Sequence, residues 1–299
     1  MPSTGPHTLP GGRRSLLRSI DEALEDIADG AVIGVGGAVT AAHPMALVRG
    51  LARRGLADLT IVAPTGGIDV DLLIAAGCVR RVVGCYVGVE GVAAVGPVFR
   101  GAVERGEVEV VDLDEAHCVM GLRAAGHRLP FLPWRGGVGT SFPQLNPSLV
   151  EFDDPIAGEP LLAIPAIRLD VALIYAECGD AYGNVQVTGT PHMDQLLGTA
   201  AERVVVQVER VVPTEVIRRR PELTMYWRET TVVRAPFGTH PYSSGSLVSD
   251  EQHLREFVAA GREGGEALAG YLRRHVHDAP GHDDYLETIG IRRLVSLMV

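Results

Sequence analysis

Two glycine-rich turns follow apolar segments in the first quarter of the chain. Their residues are Gly36 and Gly37 after AVIGV, and Thr65, Gly66 and Gly67 after DLTIVAP. Backbone N–H groups in a turn between a strand and a helix can hold a phosphate or an oxyanion. A dinucleotide site is excluded because Val39 replaces the third glycine of G-x-G-x-x-G, and because the second strand does not end in an acid that could bind ribose. We therefore expect the turns to face another anionic group; the alternative is that the glycines serve backbone geometry alone.

A glutamate at a predicted helix start is the candidate catalytic residue. VEVVDLD at 108–114 is typical of a strand, and Glu115 then opens a helix to about residue 128. A carboxylate at this position either interacts with the helix dipole or projects into the cleft that the glycine turns border. Gly139, Thr140 and Ser141 close a rigid loop suited to an acyl or phosphate group. Asn184 is a further candidate for binding, although a plain hairpin would also explain the segment ECGDAYGNVQVTG.

Composition excludes several classes of function. All 27 basic residues are arginine, so neither a Schiff-base lysine nor the lysine of a P-loop is available. A net charge of −10 argues against nucleic acid as a partner. The four cysteines have no metal-binding spacing and are expected to be buried. No apolar run reaches 18 residues and no signal peptide is recognisable, so we expect a cytoplasmic protein with no membrane segment.

Strands alternate with helices along the chain, and most strands are apolar on both faces. This pattern predicts an α/β fold: an open, mainly parallel sheet covered by helices on both faces. We expect a disordered lead-in at 1–12 and a single domain over 13–299. That domain would begin with a helix at 13–29, contain a long loop at 142–160 and end in a helical segment at about 250–299.

Several polar residues have only weak indications of function. His43 is expected either to face the cleft or to pack or cap. Asp194 is expected to pair with an arginine or to cap a helix. The polar residues near the C-terminus, including His275 and His282, are irregularly spaced, so we expect a solvated surface and no metal site. Tyr226, Trp227 and Arg228 form either an exposed interface patch or the end of an amphipathic strand.

The sequence resembles the α subunit of the family I CoA-transferases, which includes glutaconate and 3-oxoacid CoA-transferases. The resemblance covers about 20–290 and rests on the following segments: DGAVIGVGG (29–37), HPMALVRGLARRG (43–55), DEAHCVMGLRAAGHRLPFLPWRGGVGTS (114–141), LLAIPAIRLDVALIYAECGDAYGNVQVTG (161–189), AAERVVVQVERVV (200–212) and PFGTHPYSS (236–244). It implies a β subunit of similar fold that closes the active site. It also implies a glutamyl-CoA intermediate carried by the β chain, coenzyme A as a substrate, and no permanently bound cofactor.

The same resemblance leaves the reaction open. In a transferase, Glu115 would line the cleft and orient the substrate. In the related hydrolases that cleave steroid rings, the matching glutamate would act as a base, which requires burial to raise its pKa. A decarboxylase of the same fold is a further alternative. A non-catalytic domain that senses a ligand or binds a partner is the alternative from another class.

Overall fold

The structure is a computed structural model that describes residues 14–299, so the lead-in expected at 1–12 lies outside the described residues. Its strands are β1 (Leu17–Arg18), β2 (Val32–Val35), β3 (Leu59–Val62), β4 (Thr65–Gly66), β5 (Val79–Gly84), β6 (Tyr86–Val87), β7 (Glu109–Asp112), β8 (Phe131–Trp134), β9 (Val150–Asp153), β10 (Pro160–Pro165), β11 (Leu169–Gly179), β12 (Val185–Gln186), β13 (Ala201–Val211), β14 (Thr224–Met225) and β15 (Thr230–Arg234).

Most of the strands are connected by helices. The helices are α1 (Ile20–Leu24), α2 (Met45–Arg53), α3 (Ile68–Ala75), α4 (Pro97–Glu104), α5 (Glu115–Gly126), α6 (Phe142–Leu145), α7 (Asp194–Ala200), α8 (Thr214–Arg218), α9 (Glu251–Glu263), α10 (Gly265–Leu272), α11 (His282–Ile289) and α12 (Ile291–Ser296). Within the described part of the chain, no helix is long and apolar enough to cross a membrane.

The central sheet is parallel throughout its main path. Its strands lie in the order β1-β15-β13-β11-β2-β3-β5-β7, and every neighbouring pair in this order is parallel. After the short edge strand β1, the chain enters the middle of the sheet at β2 and builds β3, β5 and β7 outward on one side. It then returns to β11 and builds the other side, so β2 and β11 flank the point where the strand order reverses.

Helices and apolar side chains cover both faces of this sheet. On one face, Ile33 and Leu173 join a core with helices α1–α4, α9 and α10. On the other face, Ala172 and Val206 pack with α5, α7 and β10. Successive strand residues alternate between the two cores because side chains of a strand point alternately to opposite faces. The predicted fold class is therefore confirmed.

The connection between β7 and β11 differs from the prediction. Instead of a loop at 142–160, the chain forms α6 and β9, and β9 joins a three-stranded antiparallel sheet in the order β8-β10-β9. Prolines and exposed apolar residues obscure β8 and β10 in the sequence, because apolar residues on both faces hide the alternation that a strand packed on one face normally shows. The strand β9 has only four residues, too few for its alternation to be recognised.

The prediction of one continuous helix at 13–29 is also wrong. Leu17 and Arg18 pair with β15 instead, and the helix covers only Ile20–Leu24. The boundary is set by a capping box, in which the Ser19 hydroxyl accepts from the N–H of Glu22 while the Glu22 carboxylate accepts from the N–H of Ser19. The S-x-x-E signature is visible in the sequence, and it outweighs the apolar periodicity around it.

Candidate functional site

The glycine turn at Gly36 and Gly37 lies where ligands of open α/β sheets bind. It directly follows β2, at the carboxyl edge of the sheet and next to β11, where the strand order reverses. The carboxyl ends of adjacent strands leave a crevice at such a switch point. The second turn follows β3, the neighbouring strand, and an N–H of the first turn reaches it: Val39 donates to the carbonyl of Thr65 at 3.4 Å. Both glycine turns therefore border one edge of the sheet.

The N–H groups of these turns already have acceptors within the chain. Gly36 donates to the carbonyl of Leu173 at 2.9 Å, and Gly37 donates to Oδ1 of Asp194 at 2.9 Å. Gly67 donates to Oδ1 of Asp69 at 2.6 Å. The expectation that these three N–H groups directly face a bound anion is therefore not met in the chain by itself. Two buried carboxylates occupy that place and fix the turns.

His43 lies between these two carboxyl groups. Its Nδ1 is 3.2 Å from Oδ2 of Asp69, and its ring packs on Tyr242 at a centroid distance of 4.3 Å. Burial raises the pKa of Asp194 to about 7, while the bond from Gly37 and the charge of His43 act in the opposite direction. The sequence suggested a position facing the cleft, packing or capping for His43, and a cap or an arginine partner for Asp194. The structure shows that Asp194 accepts from a glycine turn and that no arginine among residues 14–299 pairs with it.

A further acidic group at the same edge was missed from the sequence. Burial raises the pKa of Glu209, near the end of β13, to about 7, and the charge of Glu177 in β11 adds to this effect. Glu209 accepts from the N–H of Phe237 at 2.7 Å, and Glu177 accepts from that of Thr188 at 2.9 Å. The available signal was an acid near the carboxyl end of an otherwise apolar strand, as in VVVQVERV.

Glu115 is the first residue of α5, and its side chain is exposed. The helix begins there because Asp114 caps it, accepting from the N–H of His117 at 2.7 Å. Glu115 borders a cavity of about 390 Å³ whose other walls come from the same helix and from β8. These wall residues are Ala116, Val119, Met120, Arg123 and Trp134. Within this chain the carboxylate of Glu115 is therefore open to solvent.

The loop at 136–141 is held against the first turn of α5. Buried His117 places its Nε2 3.2 Å from the carbonyl of Gly136, and a Cβ on Gly137 would lie 3.1 Å from the same ring atom. Thr140 closes the loop by donating its hydroxyl to the carbonyl of Gly137 at 2.6 Å. The predicted loop residues Gly139, Thr140 and Ser141 are exposed, in a segment anchored two residues after Glu115. His117 was missed as the residue that anchors them.

The thiols of Cys85 and Cys118 lie between helix α5, which Glu115 opens, and the second glycine turn. Cys85 follows β5 and donates to the carbonyl of Pro64 at 2.7 Å, directly before Thr65. A hydrogen bond from the Cys118 thiol lowers the pKa of Cys85, while the charges of Glu115 and Asp114 oppose that shift. Cys85 is only half-buried, so the expectation of burial fails for it; Cys78, Cys118 and Cys178 are buried. Glu115 and the turn at Thr65 are thus placed on the same side of the sheet.

Asn184 lies in a hairpin, as its alternative interpretation predicts. It donates through Nδ2 to Oδ2 of Asp180 at 2.8 Å, and Asp180 also accepts from the hydroxyl of Thr214. The strands on either side are antiparallel, with Gly179 opposite Val185. These contacts give Asn184 a role in the turn itself, and a role in binding stays a prediction.

The histidines near the C-terminus do not form the expected solvated surface. His275 is buried, and His282 is bonded through Nε2 to the carbonyl of Pro236 at 2.7 Å. Among the described residues, His253, Glu256 and His275 each place one potential metal ligand within 4.8 Å of the others. Arg274 lies 3.3 Å from that glutamate, and its charge opposes a cation there. The tail packs inward because its rings gather around α2, where Arg49 lies over the ring of Tyr285 at 3.5 Å.

Comparison with known proteins gives a consistent result. The sequence model of a family described as coenzyme A transferase matches residues 17–229. The chain is 37% identical over 254 residues to the cholesterol ring-cleaving hydrolase IpdA subunit of Mycobacterium tuberculosis, covering 81% of this chain and 87% of that one. It is 34% identical to a protein of Archaeoglobus fulgidus over 91% of its own length, but it spans only 62% of that relative.

A solved structure matches almost the whole chain. Glutaconate coenzyme A-transferase from Acidaminococcus fermentans superposes with a TM-score of 0.89 at 29% identity, and the match covers 95% of this chain and 96% of that one. In sequence, the corresponding chain of that enzyme aligns over 93% of both proteins at 28% identity. The likeness to this enzyme therefore extends over nearly the whole chain.

Proposed function

The chain belongs to the coenzyme A transferase family, and on that basis we propose that it is the α subunit of a two-chain, cytoplasmic enzyme that moves coenzyme A between an acyl-CoA thioester and a carboxylic acid. The glutamyl-CoA intermediate would be carried by the β chain. A glutamate of that chain attacks the thioester carbonyl, which forms a mixed anhydride and releases CoA as a thiolate. The thiolate then attacks the glutamyl carbonyl of the anhydride, which forms glutamyl-CoA and releases the donor carboxylate. The acceptor carboxylate passes through the same two steps in reverse, so that it leaves as the new acyl-CoA and the glutamate is regenerated. Coenzyme A is a substrate in this scheme, and no permanently bound cofactor takes part.

The position of Glu115 supports this proposal most directly. Its carboxylate is exposed at the mouth of a cavity of about 390 Å³ with apolar walls and one cation, Arg123, at the carboxyl side of the sheet. An exposed carboxylate can orient a substrate, but it lacks the desolvation that would make it a strong general base. A partner chain that covered the cavity would supply that desolvation and would complete the site.

Apolar side chains around the same cavity are suited to such a partner. Phe131 and Trp134 in β8 and Val150 in β9 are all more than one third exposed, although each belongs to a strand. Exposed aromatic and aliphatic residues on one small sheet are typical of a surface that becomes buried in an assembly. The β subunit would therefore dock next to Glu115.

Hydrolytic ring opening of a cyclic acyl-CoA is the second candidate, because the IpdA hydrolase chain is 37% identical to this one whereas the glutaconate CoA-transferase chain is 28% identical. In this case Glu115 would deprotonate water or the substrate after the partner buries it. The two candidates differ in whether a covalent enzyme–CoA thioester forms.

The test is a trapping experiment on the complex of this chain with its co-expressed β chain. The complex is incubated with an acyl-CoA and then treated with borohydride or hydroxylamine, and both chains are analysed by mass spectrometry. An adduct on a glutamate of the β chain supports the transferase. A ring-opened acyl-CoA that has gained the mass of one water, formed from a cyclic acyl-CoA without any adduct on either chain, supports the hydrolase. No reaction with a panel of acyclic and cyclic acyl-CoA thioesters contradicts both.

The role of Glu115 is tested separately with Glu115→Gln and a matched control. Glu251 is also the first residue of a helix, follows an aspartate cap and is exposed, so Glu251→Gln removes an equivalent charge away from the cleft. We expect Glu115→Gln to lower turnover at least about 100-fold if it acts as the base, and Glu251→Gln to leave it unchanged. Equal turnover in the two variants would remove Glu115 from the mechanism.

A further inference from the structure

A second, larger cavity lies at the opposite edge of the sheet from Glu115. It encloses about 680 Å³, a volume typical of sites for small molecules. Its walls come from the end of α5, the end of α7 and the first residues of β13, together with the segments that precede β11 and β15. Since α5 runs from Glu115 to Gly126, Glu115 lies at the other end of a helix of 12 residues, about 18 Å long. The walls of the two cavities approach each other along this helix, because Arg123 lines the first cavity and Ala125 lines the second.

Three arginines line this cavity, and each comes from a different segment. Arg128 follows α5, Arg168 precedes β11, and Arg228 lies between β14 and β15. Within residues 14–299 none of the three guanidinium groups has a hydrogen bond or an ion pair. Each guanidinium therefore has five N–H donors without an acceptor in the described chain.

The charge around the cavity is positive in a chain whose net charge is −10. Glu202 is the acidic residue in the lining, and the ends of α5 and α7 contribute roughly half a negative charge each. Three guanidinium charges exceed these contributions by about one unit. The arginine side chains also do not donate to the carbonyls of the helix ends, so those ends do not explain why the three cations gather there.

Two aromatic residues complete the wall. Trp227 is fixed in place, because its Nε1 reaches the carbonyl of Gln195 at 3.4 Å and its ring lies where a Cβ on Gly198 would be, 2.2 Å away. Tyr226 beside it is 65% exposed. Aromatic faces next to unpaired guanidinium groups can stack on a planar ring while the arginines bind phosphate oxygens in pairs.

We propose that this cavity binds a nucleotide: an aromatic base carried on a phosphorylated sugar. The guanidinium groups of Arg128, Arg168 and Arg228 hold the phosphates, and Trp227 and Tyr226 contact the base. The site is independent of the proposed reaction at Glu115, since it lies at the amino ends of the strands and shares no residue with the cavity of that glutamate.

The experiment uses the intrinsic fluorescence of Trp227. The chain has two tryptophans, Trp134 and Trp227, so Trp134→Phe leaves the cavity residue as the reporter. ATP and tripolyphosphate are titrated into this variant of the full chain. We expect a saturable change with ATP, and weaker binding of tripolyphosphate because it lacks the ring.

Arginine variants then locate the binding. Arg168→Ala and Arg228→Ala should each weaken ATP binding at least about tenfold, the loss expected for a charge-assisted hydrogen bond. Arg218→Ala is the matched control because Arg218 is exposed on α8 outside the cavity, and it should leave the affinity unchanged. Circular dichroism shows whether each variant is folded.

Several results would overturn the proposal. One is the absence of a saturable change with ATP. Another is equal weakening by Arg218→Ala, which would indicate general charge attraction. Binding that persists in Arg168→Ala and Arg228→Ala but is lost in Glu115→Gln would locate ATP in the cleft. Loss of ATP binding when the β chain is added would make the cavity part of the interface with that chain.

Discussion

Replacing Asp194 with asparagine should change how the stability of the chain depends on pH. This carboxyl group is 2% exposed and accepts from the N–H of Gly37, and burial raises its pKa from 3.8 to about 7. Between these values the folded chain retains a proton that the unfolded chain releases. The contribution of Asp194 to the free energy of unfolding must therefore fall as the pH rises from 4 to 7, and stay level above that range.

The two pKa values set the size of the effect. A shift of one unit corresponds to 1.36 kcal/mol, so ionisation of the buried group costs roughly 4 kcal/mol in full, of which roughly 2.5 kcal/mol falls between pH 5 and pH 8. The substituted asparagine would keep a carbonyl oxygen for Gly37 but would not ionise. We expect Asp194→Asn to gain about 2.5 kcal/mol relative to the wild type over this interval.

Urea denaturation of both proteins at pH 5, 6, 7 and 8 measures the difference. Asp278→Asn serves as the control, because it removes a carboxylate that is exposed at the end of the π-helix Arg273–His277. Because this control keeps Asp194, its free energy of unfolding should follow that of the wild type, with a difference that is nearly constant over these pH values. A difference between Asp194→Asn and the wild type that stays constant from pH 5 to pH 8 would refute the buried-carboxyl argument.

Three further predictions concern the same edge of the sheet. Iodoacetamide should label Cys85 first in the native chain, because it is half-buried and hydrogen bonding from Cys118 lowers its pKa; peptide mapping that finds a buried cysteine first would contradict this. His117→Ala should speed amide exchange in the loop at 136–141 about fivefold, since it removes a hydrogen bond worth roughly 1 kcal/mol; unchanged exchange would exclude this anchor. Gly36→Ala should destabilise the fold by about 1–3 kcal/mol because its Cβ would meet a carboxylate oxygen at 2.5 Å, whereas Gly189→Ala, which has open space, should not; equal denaturation midpoints would contradict it.

The sequence was sufficient for the main sheet because its buried strands and connecting helices have different periodicities. DLTIVAP and RVVVQVERVV are apolar on both faces, which only a sheet covered on both sides satisfies. It was insufficient for β8, β9 and β10, whose strands include Pro133, Pro160 and Pro165 and pack on one face. The inward packing of His275 was also not predictable, since it depends on rings from α9 and α10 that no local pattern connects.

For the candidate site, the sequence located the turns but not their acceptors. Gly37 and Asp194 are separated by 157 positions, and their contact exists only because α7 packs beside the end of β2. The sequence G-V-G-G indicates that a negatively charged hydrogen-bond acceptor lies next to the turn. It does not indicate whether that acceptor belongs to a ligand or to a side chain of the same protein. The helix start at Glu115 was predictable because the contact that sets it is local: Asp114, the preceding residue, caps the helix.

The edges of the central sheet limit how the chain can associate with others. On one side the last described strand, β1, has only two residues, and on the other β7 carries exposed Glu109 and Asp112 at its two ends. Short strands and acidic side chains discourage another strand from adding to a sheet, which is how native proteins avoid aggregation. Fusion of two sheets into one is therefore disfavoured, and growth into fibrils is opposed by the same residues. Any stable assembly must use side-chain surfaces, where specificity for one partner can be encoded.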